Sequence, residues 1–230
     1  MYARYWQPAG PVLGSVFLCH GFGEHLGWYE GLAVPLARLG LLVFGHDHQG
    51  HGRSEGRRAY IDTVEEFVSD VIRHSAEVKA EYPGLPMFLY GHSMGGMISV
   101  ATVLRNPSFY SGLVLEGPLI IPDPHEVTPT RLLLGRLISP ILPEMQMGRV
   151  RVEQVTSDTA LQAGLTTDKF RWTGGVKLGM GMAFLRYNSA VVVVVVDGLF
   201  VGTSSVLCLI SPIRAITSIE NRSNNPSFCS

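Results

Sequence analysis

The stretch MFLYGHSMGG, Met87 to Gly96, decides how this 230-residue chain is read. Met87 to Gly91 is a short, apolar, β-rich run that reads as a strand, and Met94 to Leu104 reads as a helix. Between them, Gly91-His92-Ser93-Met94-Gly95 is a GxSxG pattern in the strand-to-helix setting of a nucleophile elbow. Such a turn is tight enough to need small residues on both sides of the Ser, and Gly91 and Gly95 supply them. Ser93 is therefore the candidate nucleophile. Unpaired N–H groups at the start of the following helix can stabilise a developing oxyanion, which makes the Met94 N–H one donor. A second donor is expected from the loop after an earlier strand, where His20-Gly21-Phe22-Gly23 follows SVFLC; the Phe22 N–H is the candidate.

Outward from the elbow, SVFLC (Ser15 to Cys19), LLVFG (Leu41 to Gly45) and GLVLEG (Gly112 to Gly117) read as further buried strands. Tyr29 to Leu39, with Leu32, Leu36 and Leu39 at helical spacing and Gly40 after them, reads as a helix. Thr63 and Glu66 fit a capping box, and Val64, Phe67, Val68, Val71 and Ile72 form one apolar stripe on a second helix ending near Tyr82. Strands alternating with helices imply a mostly parallel sheet covered on both faces, an α/β fold.

Four segments carry a resemblance to the monoacylglycerol lipases: HGFGEH (His20 to His25), HDHQGHGRSEG (His46 to Gly56), YPGLPMFLYGHSMGG (Tyr82 to Gly96) and LVLEGPL (Leu113 to Leu119). The similarity runs from about Arg4 to about Val191 and includes VKLGMGMAFL (Val176 to Leu185). It implies an α/β-hydrolase fold with an inserted helical cap, and a serine hydrolase that splits a fatty acid from glycerol through an acyl-enzyme. It implies Ser93 as nucleophile, a His as general base and an Asp that orients the His, with no cofactor. The expected partner is a monoacylglycerol or similar lipid ester. Glu24 and His25 beside the oxyanion loop have two readings, as holders of the substrate's polar head or as members of a hydrogen-bonded loop; Trp28, where the family often has Arg, weakens the first.

In this fold the order is Ser, acid, His, with the last two on loops after C-terminal strands. Beyond Ser93 the one histidine is His125, in the Pro-rich PDPHE run, and Glu126 to Ser230 contains none. No strand followed by an acid loop is recognised, and Asp197 and Glu220 stand in unrelated contexts. A Ser hydroxyl without a base is a weak nucleophile, so a catalytic Asp and His are not found and the chain is expected to be a poor esterase. The alternative is a non-catalytic product that binds lipid or a partner.

The organisation expected is a core over residues 1–118, a helical cap over 119–187 and an aberrant low-complexity tail over 188–230. Prolines punctuate the cap around TRLLLGRLISPIL (Thr130 to Leu142), a segment fit either for core packing or for peripheral contact with a membrane. The tail opens with six valines, Val191 to Val196, followed by DGLFVGTSSVLCLI and a Ser/Asn-rich end. Its abrupt onset reads as sequence foreign to the domain, an alternative product or an error in the gene's reading. Without the usual next strand, Leu113 to Leu115 would lie at an open apolar edge, which VVVVVV or VLCLI can cover. A passive tail is expected, since no turn chemistry marks it for docking. Ala190 to Ile210 approaches the length of a membrane span, but Asp197, its glycines and a Thr-Ser-Ser run argue against one.

A net charge of −1 and a pI near 6.7 leave nothing to hold a phosphate backbone, so nucleic acid is not an expected partner. Cys19, Cys208 and Cys229 form neither a paired framework nor a CxxC, and MYARYWQPAG is not a secretory leader, so a cytoplasmic chain is expected. His46, His48 and His51 have metal-like spacing, but no acid or Cys cluster completes a site, and no metal is expected.

Overall fold

A computed structural model describes residues 1–120, 127–148, 152 and 158–188, together with short strands at 194–196, 201–203, 206–210 and 213–215. His125, Asp197 and Glu220 lie outside the described residues. Strands β1 (Ala3–Trp6), β2 (Gly14–Cys19), β3 (Leu41–His46), β4 (Met87–His92) and β5 (Gly112–Glu116) lie in the order β1-β3-β2-β4-β5. β2 pairs parallel with β3 and β4, β4 pairs parallel with β5, and β1 is antiparallel to β3. Apolar runs without alternation are the mark of strands covered on both faces, and β2 is buried at all six positions.

Helices α1 (Glu30–Arg38), α2 (Val64–Glu81) and α3 (Met94–Arg105) follow β2, β3 and β4 in turn. α2 buries Val64, Phe67, Val68, Val71 and Val78, the stripe read from the sequence continued two turns further, while Ile72 is half-buried. Its cap differs in detail, because the Thr63 hydroxyl accepts from Glu65 N–H at 3.4 Å. α1 corrects the expected stripe. Ala33 and Ala37 are buried, Leu32 and Leu36 are only partly so, and Leu39 is 71% exposed. The small alanines sit where the helix lies close to the sheet, so spacing of large residues misjudged the buried face.

The tail is not passive. Val206–Ile210 pairs antiparallel with β5, Leu207 opposite Leu115 and Leu209 opposite Leu113, and Val201–Thr203 adds a further strand beyond it. The open edge beside Leu113 and Leu115 thus takes a backbone-paired partner, and such pairing needs no alternating side-chain pattern. Val194–Val196 pairs elsewhere, with Ile213–Ala215. Among the described residues no helix is long and apolar enough to cross a membrane, and VLCLI is a strand.

Between β5 and the tail lie α4 (Pro129–Ile138) and helices Thr159–Thr167 and Leu178–Asn188. The last packs Met180 and Phe184 into the main core, and Gly135 of α4 lies against Met182. Leu133, Leu134, Leu137, Ile141 and Leu142 face outward, each more than half exposed.

Candidate active site

β4 ends at His92 and α3 begins at Met94, leaving Ser93 alone to turn the chain. It does so at φ 50° and ψ −116°, a left-handed conformation that costs a non-glycine residue about 1–3 kcal/mol. Surrounding bonds hold it there. Ser93 N–H donates to the Glu116 carbonyl at 3.0 Å, and its own carbonyl accepts from Gly96, Met97 and Leu119 N–H groups at 2.9–3.2 Å. The hydroxyl makes no capping bond to its own helix.

Both flanking glycines are held by close contact. A Cβ on Gly95 would lie 2.0 Å from the Cys19 carbonyl oxygen, and one on Gly91 would lie 2.5 Å from the Gly95 oxygen. The end of β2 therefore presses on the first turn of α3, bringing the His20–Glu24 loop beside the elbow. Phe22 lies in that loop, its ring against His51 with centroids 5.7 Å apart, and Met94 is fully buried at the helix start.

Glu24 and His25 are engaged within the protein. One Glu24 carboxylate oxygen accepts from Gly21 N–H at 2.8 Å and from the Tyr29 hydroxyl at 2.6 Å; the other meets His92 Nδ1 at 2.9 Å. Burial alone would raise the Glu24 carboxyl, but His92, Tyr29 and Gly21 together hold it below its usual range. Burial pulls His92 down in turn, and the hydrogen bond and charge of Glu24, with Glu116 adding to them, lift it above its ordinary value. His25 Nε2 lies 2.6 Å from Asp168, and His25 Nδ1 accepts from Gly27 N–H at 3.1 Å. Both side chains therefore have partners within the loop and around it.

Sequence reasoning did not find His92, Tyr29 or Asp168. His92 is one of the two unspecified positions of the GxSxG pattern and adjoins Ser93, so its position was a signal, whereas Asp168 reaches the loop from 143 positions away along the chain.

The bonding also limits which histidine can take a proton from Ser93. His25 and His20 each have the accepting ring nitrogen occupied, His25 by Gly27 N–H and His20 Nε2 by His48 N–H at 2.8 Å. His20 Nδ1 meets the Gly21 carbonyl at 2.8 Å, as a donor must. His46 and His48 are buried; His46 Nδ1 meets His74 Nδ1 at 3.0 Å, and His48 Nε2 meets the Cys19 thiol at 3.3 Å. Burial pushes His46 and His48 well below the ordinary imidazole value, His20 to about 4 and His51 to about 3. Among the described residues no cluster of three or more His, Cys, Asp or Glu is arranged to hold a metal ion. A groove of about 730 Å³ between the Gln7–Pro11 segment and the end of α1 is lined by none of the candidate residues.

The Hydrolase_4 family, described as serine aminopeptidase S33, matches residues 10–193. The chain belongs to that family. It is 37% identical over 191 residues to the monoglyceride lipase of Rattus norvegicus, covering 83% of this chain and 63% of the relative. It is 33% identical over 181 residues to the monoacylglycerol lipase of Mycolicibacterium smegmatis, covering 78% and 64% respectively. A soluble variant of the Saccharomyces cerevisiae monoglyceride lipase, solved in complex with a substrate analog, superposes with a TM-score of 0.66 at 27% identity, over 81% of this chain and 64% of that one. The chain thus spans a little under two thirds of the length of these relatives. The α/β-hydrolase fold and the monoglyceride-lipase resemblance expected from the four segments are shown.

Proposed function

We propose that this Hydrolase_4 chain carries the nucleophile elbow of a lipid-ester hydrolase acting on a monoacylglycerol or similar ester. Ser93 Oγ attacks the ester carbonyl carbon and gives up its proton to a base. The tetrahedral oxyanion rests on the Met94 and Phe22 N–H groups, the alcohol leaves with a proton, and water then releases the fatty acid from the acyl-Ser93 ester. The observation that carries this reading is the left-handed Ser93 between β4 and α3, with Gly91 and Gly95 in backbone contact. The names of the relatives supply the substrate class.

Among the described residues the proton acceptor is the weak part. His20 and His25 have their lone pairs occupied, and Glu24 holds His92 toward its charged, donating form. We therefore assign this chain by itself low hydrolytic activity. The exposed leucines of α4 and the segment after it suit peripheral contact with a lipid surface, which also serves the second reading, a lipid-binding product without catalysis. In both readings residues 1–118 are the core, 119–187 the cap and 188–230 a tail.

A fluorophosphonate probe tests the proposal. The chain as it stands should label weakly, and a version carrying the C-terminal third of a monoglyceride lipase in place of residues 191–230 should label strongly, at Ser93. Strong labelling of the present chain would reveal a base within it. Absence of labelling in the extended version would remove Ser93 as nucleophile.

A further inference from the structure

The segment Asp168–Trp172 grips the oxyanion loop at several points. One Asp168 carboxylate oxygen receives both His25 Nε2 at 2.6 Å and the Trp28 indole N–H at 2.8 Å, while the other accepts from Phe170 N–H at 2.8 Å. The direction of the His25 bond is fixed, because Nδ1 already accepts from Gly27 N–H and the ring proton must sit on Nε2. Burial would raise the Asp168 carboxyl, but the Trp28, His25 and Phe170 donors hold it at about 2.

The backbones touch as well. Trp172 N–H donates to the Gly23 carbonyl at 2.9 Å, and a Cβ on Gly23, at φ +77°, would lie 3.2 Å from the Trp172 oxygen. Phe170 sits edge-on to the His25 ring and under the Arg53 guanidinium, 4.5 Å from the ring centroid. Phe22 is thereby bracketed between Gly21, tied to Glu24, and Gly23, tied to Trp172.

We infer that Asp168 is a positioning residue for the oxyanion loop: by holding the His25–Trp28 turn it makes the docking of the 168–172 segment and the placement of the Phe22 N–H a single event. The inference rests on the assignment of Phe22 N–H as an oxyanion donor. A second tether supplies its control. Glu144 accepts from Arg57 and from Lys177 at 2.6 Å each, joining the same part of the chain to the core without touching the oxyanion loop.

The experiment is hydrogen exchange at the Gly21, Glu24 and Gly27 amides of the full chain, with the imidazole N–H signal of His25 followed by NMR in the same samples. Asp168→Asn removes the charge and turns one acceptor into a donor facing donors. It should speed exchange at these amides about tenfold and abolish the His25 Nε2–H signal while helix α2 exchanges as before. Trp28→Phe keeps a ring but drops one donor, and should shift the same amides about threefold in the same direction. Glu144→Gln should leave them within about twofold. Unchanged exchange in Asp168→Asn, or an equal effect from Glu144→Gln, overturns the inference. Should Asp168→Asn fail to fold, an unchanged Trp28→Phe overturns it instead. Ser93 labelling is measured alongside, so failure of the nucleophile assignment shows as absent labelling and leaves the exchange result standing.

Discussion

Acid should unfold this protein early, and the reason is the buried imidazole cluster beside β2 and β3. His20, His46, His48 and His51 are all 1% exposed or less, and burial depresses all four: His20 to about 4, His51 to about 3, and His46 and His48 well below the ordinary value. In the unfolded chain each titrates near 6.5. Because the folded value is the lower one, the unfolded state binds the proton first, so the stability of neutral burial is present above about pH 6.5 and is lost as pH falls toward the folded values. At about pH 5.5 an unfolded His has gained about 1.4 kcal/mol of protonation free energy that the folded one has not. Four such groups sum to about 5 kcal/mol, comparable with the whole stability of a marginal domain. His92 opposes them. Its folded value is raised, so its contribution is present below about pH 6.5 and fades as pH rises through that folded value, but it is one group against these four and His74, which burial also lowers. Urea unfolding followed by tryptophan fluorescence, at about pH 7.5 and about pH 5.5, should show a drop of several kcal/mol. His51→Gln should remove about 1.4 kcal/mol of that drop. Stability equal within about 1 kcal/mol at the two pH values would refute the reasoning, since it would require water or protons to reach the cluster in the folded state.

Gly95→Ala should destabilise the fold by about 3 kcal/mol or more in the same assay, because its Cβ would meet the Cys19 carbonyl at 2.0 Å, whereas Gly31→Ala, open on all sides in α1, should be neutral or gain up to about 1 kcal/mol. Deleting residues 191–230 bares the β5 edge at Leu113 and Leu115, so the shortened chain should lose solubility and melt at lower temperature; an equal or better melting curve would show that the Val206–Ile210 strand contributes nothing. Replacing Leu133, Leu134 and Leu137 with serine should weaken sedimentation with phospholipid vesicles without altering the melting temperature, as these side chains are about 60% exposed.

The elbow could be read from ten residues because its chemistry is local: a strand, a helix and a tight turn leave few choices for Gly91, Ser93 and Gly95. The parallel sheet followed likewise from apolar runs too long to alternate. The buried face of α1 did not follow, since how near a helix comes to its sheet depends on the strands beneath it, and alanines are buried where the approach is close. Nor did the tail's docking, because β-pairing is made by backbone groups that every sequence carries, and the open edge beside β5 was as available to the six valines as to VLCLI. The partners of Glu24 and His25 were equally out of reach. Each is decided by a residue distant in sequence, His92 for one and Asp168 for the other, and side chains brought together by folding leave no periodicity in the chain. What the sequence settles by itself is local geometry and the order of buried segments, where the physics acts between near neighbours. Which carboxylate meets which imidazole, and so which nitrogen keeps its lone pair, exists only once tertiary structure closes those distances.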